Sequence, residues 1–296
     1  MTAGLSILIP IFNWDVNELV EVLLAQRTDW PGLVEIILFD DASREEFRAL
    51  NRPLLYHPGV QYRELAQNMG RAAIRNQLAA AAQQEWLLLL DNDSLLPDTH
   101  FLARYAAVRG QAAVLIGGTC YSSLPPANTD LRLHWLYGQA REARMAAQRQ
   151  LAPYAQLTIN NALLRTDVLT RYPLDERLSG YGHEDTQFGR TLATSGVPIL
   201  HLDNPVLHAG LEPATIFLTK SEEAVRNLAQ AFRADGLSAD SRLLQTARRL
   251  RKWGISALVQ TTLHSAELRL RRNLLSANPS LRAFDLLKLS WLLKRL

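Results

Sequence analysis

Cysteine is nearly absent. The single Cys120 excludes an intramolecular disulfide in 296 residues and points to a reducing compartment, most simply the cytoplasm. No stretch reaches about 18 consecutive apolar residues, so no membrane-spanning helix is expected. The first residues lack a basic region followed by a long apolar run, which argues against a secretory signal. Internal repeats and low-complexity linkers are missing too. What is present, 48% hydrophobic and 21% charged residues, describes a globular chain with ample core material.

Charge is unevenly spread. Residues 237–296 hold 12 Lys/Arg against three acidic residues, a surplus of nine, which leaves the preceding 236 residues at a net −6. An acidic body with a basic tail suggests different partners for the two parts.

The first half alternates strand and helix patterns. "LSILIP" (5–10), "VEIILF" (34–39), "EWLLLL" (85–90) and "AAVLIGG" (112–118) are short apolar runs that suit strands covered on both faces. Helical patterns at 16–26, 68–84 and 97–108 separate them. The expectation is an α/β fold with a doubly wound, mostly parallel central sheet and flanking helices. After the loop "SSLPPANTD", residues 131–152 read as one amphipathic helix, and the chain reads as helical from about 216 to its end. The expected division is a catalytic domain over 1–215 and a helical, basic C-terminal extension over 216–296.

Ligands of open α/β sheets bind beyond the carboxyl ends of the strands. Polar residues collect there: Asn13 after the first strand, Asp40–Asp41 after the second, and Asp91–Asn92–Asp93 after "LLLL". Turn formation is the ordinary role of such residues. Two carboxylates leaving one buried strand repel, however, and a divalent cation that also binds diphosphate oxygens relieves them. Asp41 could accept a hydrogen bond from a base or ribose. Arg71 and Arg75, four apart on one helix face, could meet phosphate or simply form a solvated basic face. Of the two histidines flanking "LDNPVL", His201 and His208, one is expected to be structural or exposed, and His208 is the candidate to complete a metal site with Asp93. Trp135 could stack on a sugar ring or be buried.

"SGYGHEDTQFGRTL" (179–192) places His183, Glu184 and Asp185 at a helix start. Capping and dipole compensation explain such a cluster. A metal triad does not, because consecutive helical residues point roughly 100° apart. A carboxylate there is held ionised by the helix dipole, whereas exclusion of water raises its pKa, and the sequence leaves these two effects unresolved.

Five segments together resemble the family 2 glycosyltransferases with the GT-A fold: "LSILIPIFN", "VEIILFDDAS", "NMGRAAIRNQLAAAAQQEWLLLLDND", "LTINNALLRTDVL" and "GYGHEDTQFGRTL". The resemblance covers about residues 4–210 and leaves 216–296 outside. It implies an inverting, metal-assisted hexosyltransferase that uses a nucleotide-sugar donor, most simply a UDP-sugar. Implied donor contacts are Pro10, Phe12, Asn13, Asp41, Asn68, Arg71, Arg75, Asp91 and Asn92. Asp93 and His208 would hold manganese or magnesium, Asp185 would be the general base, and Glu184, Asn161 and Trp135 would meet the acceptor. The first strand ends "PIFN" where the family usually has "PTYN", a mild departure if backbone holds the nucleotide. The implied acceptor is a glycan or a lipid-linked one, in polysaccharide or glycolipid synthesis. The alternatives are a sugar nucleotidyltransferase, disfavoured because no glycine-rich phosphate loop with a basic residue follows the first strand, and a non-catalytic carbohydrate-binding protein.

The basic tail helices are candidates for peripheral contact with the inner face of the plasma membrane, or for packing on their own domain or a second subunit. Nucleic acid is not expected as a partner, since no recognised module accompanies the charge.

Overall fold

The computed structural model describes residues 3–177, 184–235 and 241–296. Within them the chain forms two compact units. The first comprises residues 3–121, 142–177 and 184–210, and the second comprises residues 122–141 together with the described residues from 211 onward.

The first unit is built on a seven-stranded sheet. Its strands are β1 (Leu5–Ile11), β2 (Val34–Asp40), β3 (Val60–Glu64), β4 (Trp86–Leu90), β6 (Val114–Ile116), β8 (Asn161–Arg165) and β9 (Ile199–His201). They lie in the order β3-β2-β1-β4-β8-β6-β9, and every pairing is parallel except those of β8, which runs antiparallel to both β4 and β6. The expected α/β, mostly parallel sheet is therefore present. β3 was not anticipated, because on this edge strand only Val60 is buried and no apolar run marks it.

Helices cover both faces, for a reason visible in β1. Leu5, Ile7, Ile9 and Ile11 point to one side, where they pack with α1 (Asn17–Gln26) and α4 (Phe101–Val108). Leu8 points to the other side, where α3 (Arg71–Ala81), α7 (Thr166–Arg171) and α8 (Glu184–Thr194) lie; α2 (Glu45–Asn51) follows β2. The two-residue period of a strand thus sends successive apolar residues into two separate cores. Each fully enclosed Leu or Ile contributes about 2 kcal/mol through burial.

A three-stranded sheet flanks the main one. β5 (Ser94–Leu95) pairs antiparallel with β10 (Val206–His208), which pairs parallel with β7 (Thr119–Cys120). Cys120 sits opposite Leu207, and partial burial pushes its thiol pKa up.

The single helix expected over 131–152 is broken into pieces. α5 (Arg132–Tyr137) runs into a π-helical turn (Gly138–Glu142), and α6 (Ala146–Gln150) follows after a break. The reason lies at Arg149, which an amphipathic helix would keep in solvent. It is buried, and its guanidinium donates to the carbonyls of Ile116, Gly117, Leu202 and Arg144.

The second unit is helical: α5, α9 (Ala214–Asp235), α10 (Arg242–Lys252), α11 (Ser256–Leu274) and α12 (Leu281–Leu293). Leu218, Leu244, Leu263, Leu274, Phe284 and Trp291 are among its core residues. His134 stacks on Phe217 at 4.5 Å between ring centroids. Among the described residues, no helix is long and apolar enough to cross a membrane.

Candidate active site

β1, β2 and β4 run parallel, so their carboxyl ends open on one edge of the sheet. Asn13 lies two residues past β1, while Asp41 and Asp91–Asp93 directly follow β2 and β4. The first two loops are tied together by polar contacts. Asn13, in the left-handed region at φ 50°, donates its backbone N–H to Ser43 Oγ and accepts at Oδ1 from the Arg44 N–H, both at 2.8 Å. Ala42 is also left-handed, at φ 63°. Pro10 lies within β1, in register with Phe39, and Phe12 just beyond the strand is 50% exposed.

Asp41 is buried, and burial raises its pKa against two backbone donors that lower it. Those donors are the Met69 N–H at 2.6 Å and the Gly70 N–H at 3.2 Å. Gly70 caps α3 at φ 84°, a conformation that favours glycine, and Asn68 Nδ2 donates to the Asp41 carbonyl. The end of β2 is thereby fixed to the start of α3.

The acidic turn after β4 is organised by that helix. Arg75 is not on a solvated face. It is buried, and its guanidinium meets the Asp91 carboxylate. Arg71, one turn earlier, lies 3.4 Å from the other oxygen of Asp91 and 3.4 Å from Oε1 of Glu184. Burial pushes the Asp91 carboxyl up, but Arg75 and Arg71 outweigh it and hold the pKa below the ordinary value. Asn92 donates from Nδ2 to the Phe12 carbonyl at 3.3 Å, joining this turn to the end of β1.

Asp93 faces a different partner. The β5–β10 register sets Ser94 opposite His208, and Asp93 Oδ2 lies 3.6 Å from His208 Nδ1. A Cβ built on Gly210 would fall 2.1 Å from the same carboxylate oxygen, so the Asp93 side chain occupies space that only glycine leaves free. Burial opposes protonation of His208, yet Asp93, Glu142 and Asp91 prevail and raise its pKa. Tyr121 packs its ring against the His208 imidazole with centroids 5.4 Å apart, and its hydroxyl meets Glu142. Among the described residues, no group of three or more His, Cys, Asp or Glu is arranged to hold an ion. One carboxylate and one imidazole in a field of further carboxylates nevertheless fit a divalent cation that takes its other ligands from diphosphate and water.

Asp185 lies in the first turn of α8 beside Glu184, which is buried. Its Oδ1 is enclosed without a hydrogen-bond partner among the described residues. Burial, aided by the Glu184 charge, pushes its pKa up to about 7 against the pull of Arg75 and Arg71. Desolvation therefore prevails over the two neighbouring arginines. The preceding glycine-flanked residues, with His183, lie outside the described residues.

Two expected acceptor contacts are engaged by other parts of the chain. Asn161 is fully buried; its Nδ2 donates to the Gly118 and Asn204 carbonyls and its Oδ1 accepts from the Tyr105 hydroxyl, which leaves no face for a sugar. Trp135 belongs to the second unit, where its Nε1 donates to the Ser122 carbonyl. His201 is structural: it is buried between Arg149 and the Pro153 carbonyl, with its pKa lowered by burial. Tyr121, Glu142 and Gly210 escaped the sequence, since nothing in their local pattern distinguishes them from ordinary loop and helix residues.

Residues 6–170 match the sequence profile of "Glycosyl transferase family 2". No curated protein sequence matches the chain. Among solved structures, the mannosyltransferase PcManGT from Pyrobaculum calidifontis, in complex with GDP-Man and Mn2+, is similar with a TM-score of 0.61 and 14% identity, over 99% of this chain and 86% of that one. S. aureus TarS 1-349 in complex with UDP-GlcNAc is similar with a TM-score of 0.51 and 17% identity, over 97% of this chain and 89% of that one. At such identities the likeness is one of fold.

Proposed function

The chain belongs to glycosyl transferase family 2, and from that premise we propose that it transfers a hexose from a nucleotide-sugar donor, most simply a UDP-sugar, to an acceptor hydroxyl with inversion. The observation that carries this reading is Asp185: a carboxylate with an enclosed oxygen that has no partner among the described residues and a pKa of about 7, in the same polar cluster as Arg71, Arg75 and Asp91. A general base works best when its pKa lies near the operating pH.

In this reading the exposed Phe12 ring and the Asp41 turn receive the base and ribose. Arg71 orients the donor sugar and holds Glu184, which positions the acceptor. As the acceptor oxygen bonds to the anomeric carbon, the bond from that carbon to the diphosphate breaks. The acceptor proton passes to Asp185. Asp93 and His208 would hold manganese or magnesium, and a cation bound there offsets charge growing on the leaving diphosphate. The Mn2+ reported for the mannosyltransferase neighbour supports a divalent ion, and the GDP-Man and UDP-GlcNAc reported for the two neighbours support a nucleotide-sugar donor. The product would be a polysaccharide or glycolipid assembled on the cytoplasmic side.

A screen of UDP-, GDP- and dTDP-sugars with manganese, followed by an acceptor panel, tests the reading. Asp185→Asn is expected to lower transfer by roughly 10²–10⁴-fold, the usual worth of general-base catalysis, while nucleotide binding stays intact. Unchanged turnover in that variant would remove the assignment.

A further inference from the structure

α10 and α11 each turn an apolar face inward, where Leu244, Ala247, Leu263 and Leu274 join the core of the second unit. That packing does not account for the turn between them. Trp253 is 67% exposed, Ile255 39% and Leu258 70%, three large apolar side chains within six residues. Solvation alone gives no reason for such a cluster.

The turn is also rigid. Gly254 adopts φ 72° just past the end of α10, its N–H donates to the Arg251 carbonyl, and the Ile255 N–H reaches back to the Leu250 carbonyl. This pattern satisfies the terminal carbonyls and fixes the exit of the chain. Trp253 is therefore presented by a preformed corner, and binding through it requires little ordering.

Charge selects the occupant. Residues 242–266 carry five Lys/Arg and no carboxylate. Arg248 lies over the Phe232 ring and Arg251 donates to the Leu296 carbonyl, whereas Arg249 and Lys252 are exposed and have no carboxylate partner among the described residues. A second copy of the same patch would bring like charges together. A nucleic acid would satisfy the cations and offer bases for Trp253 to stack on, but would leave Ile255 and Leu258 in water. An anionic lipid surface satisfies both, because indole rings favour the bilayer interface and basic side chains are attracted to its phosphates.

We propose that the α10–α11 corner docks the protein on an anionic membrane, with Trp253, Ile255 and Leu258 entering the interface and Arg249 and Lys252 meeting lipid phosphates. The contact is superficial, and the inference is independent of the reaction assigned above.

Flotation of the full chain with vesicles of phosphatidylglycerol and phosphatidylcholine tests it, against vesicles of phosphatidylcholine alone. The chain is expected to float with the mixed vesicles and not with the neutral ones. Arg249→Gln with Lys252→Gln is expected to weaken partition by roughly thirtyfold, at the usual worth of a basic residue near such a surface. Trp253→Ser with Leu258→Ser, both at exposed positions and so compatible with the fold, is expected to abolish flotation while the melting temperature holds. Absence of flotation, equal flotation with neutral vesicles, or full flotation of either double variant overturns the proposal. So does a dimer, or a tighter complex with an oligonucleotide than with vesicles, that depends on Trp253 and Leu258. No sugar nucleotide enters the experiment, so its failure and that of the reaction assignment are separately visible.

Discussion

Nδ1 of His208 stands 3.6 Å from a carboxylate oxygen of Asp93. Neither residue reaches that position through a continuous local motif. β5 brings one and β10 the other, and their two-residue antiparallel register sets the spacing. The pair exists because strands more than a hundred residues apart in sequence are hydrogen-bonded.

If this pair is the protein's share of a metal site, either partner's loss should weaken metal-dependent nucleotide binding. Titration calorimetry with UDP or GDP and manganese is expected to show at least about a tenfold loss for Asp93→Asn and for His208→Ala, matching what even outer partners of metal sites cost. Wild-type affinity that is the same with EDTA as with manganese would refute the assignment.

Gly210 offers a less invasive test of the same site. Gly210→Ala adds one methyl group, which would meet Asp93 Oδ2 at 2.1 Å and must displace it. Manganese-dependent nucleotide binding should fall by about tenfold or more, with circular dichroism and melting unchanged. Binding equal to wild type would mean the Asp93 carboxylate has another place to go.

Asp185 predicts two pH dependences of defined sign. As a base it must be ionised, so kcat/KM should fall as pH drops through about 7. Stability runs the other way. Its folded pKa of about 7 lies above the ordinary 3.8, so the folded state prefers the neutral carboxyl and loses stability as pH rises from about 3.8 to about 7. Asp185→Asn should therefore gain melting temperature over wild type across that window and keep the gain above it. Each kcal/mol corresponds to about 2–4 °C for a domain of this size. Parallel melting curves that never separate with pH would contradict the raised pKa.

Arg75 and Asp91 form a buried ion pair, and such pairs cost most when half is removed. Arg75→Leu should destabilise the fold by about 3 kcal/mol in urea titrations, because Asp91 keeps only the longer contact to Arg71. Adding Asp91→Leu should recover much of that loss. A strictly additive double variant would show that the two side chains do not depend on each other.

The strands were legible where burial on both faces wrote an unbroken apolar run. β1, β2 and β4 appear within a residue of their expected limits, and the polar clusters follow them at one sheet edge as expected. Legibility failed where partners are distant. Arg75 read equally well as a solvated face, since nothing near it in sequence announces Asp91 sixteen residues on. Asn161 fits the family pattern by position, but its amide is engaged by Gly118, Tyr105 and Asn204 from three other segments. Arg149 broke a plausible helix for a similar reason, drawn inward by carbonyls that no helical period encodes. The competition at Asp185 between helix dipole and burial also needed the fold, because only packing decides how much water a first-turn carboxylate retains.

Cys120 turns its scarcity into an experimental convenience. It is the only sulfhydryl in the chain, and it lies directly across from Leu207, the neighbour of His208. A maleimide fluorophore or spin label would attach there alone, with no background to remove by mutagenesis. Because burial raises the thiol pKa, labelling should proceed slowly at neutral pH and faster under mildly alkaline conditions. If His208 is a metal ligand, a probe on that strand would register manganese and nucleotide arriving in real time, without waiting for a donor sugar to be identified.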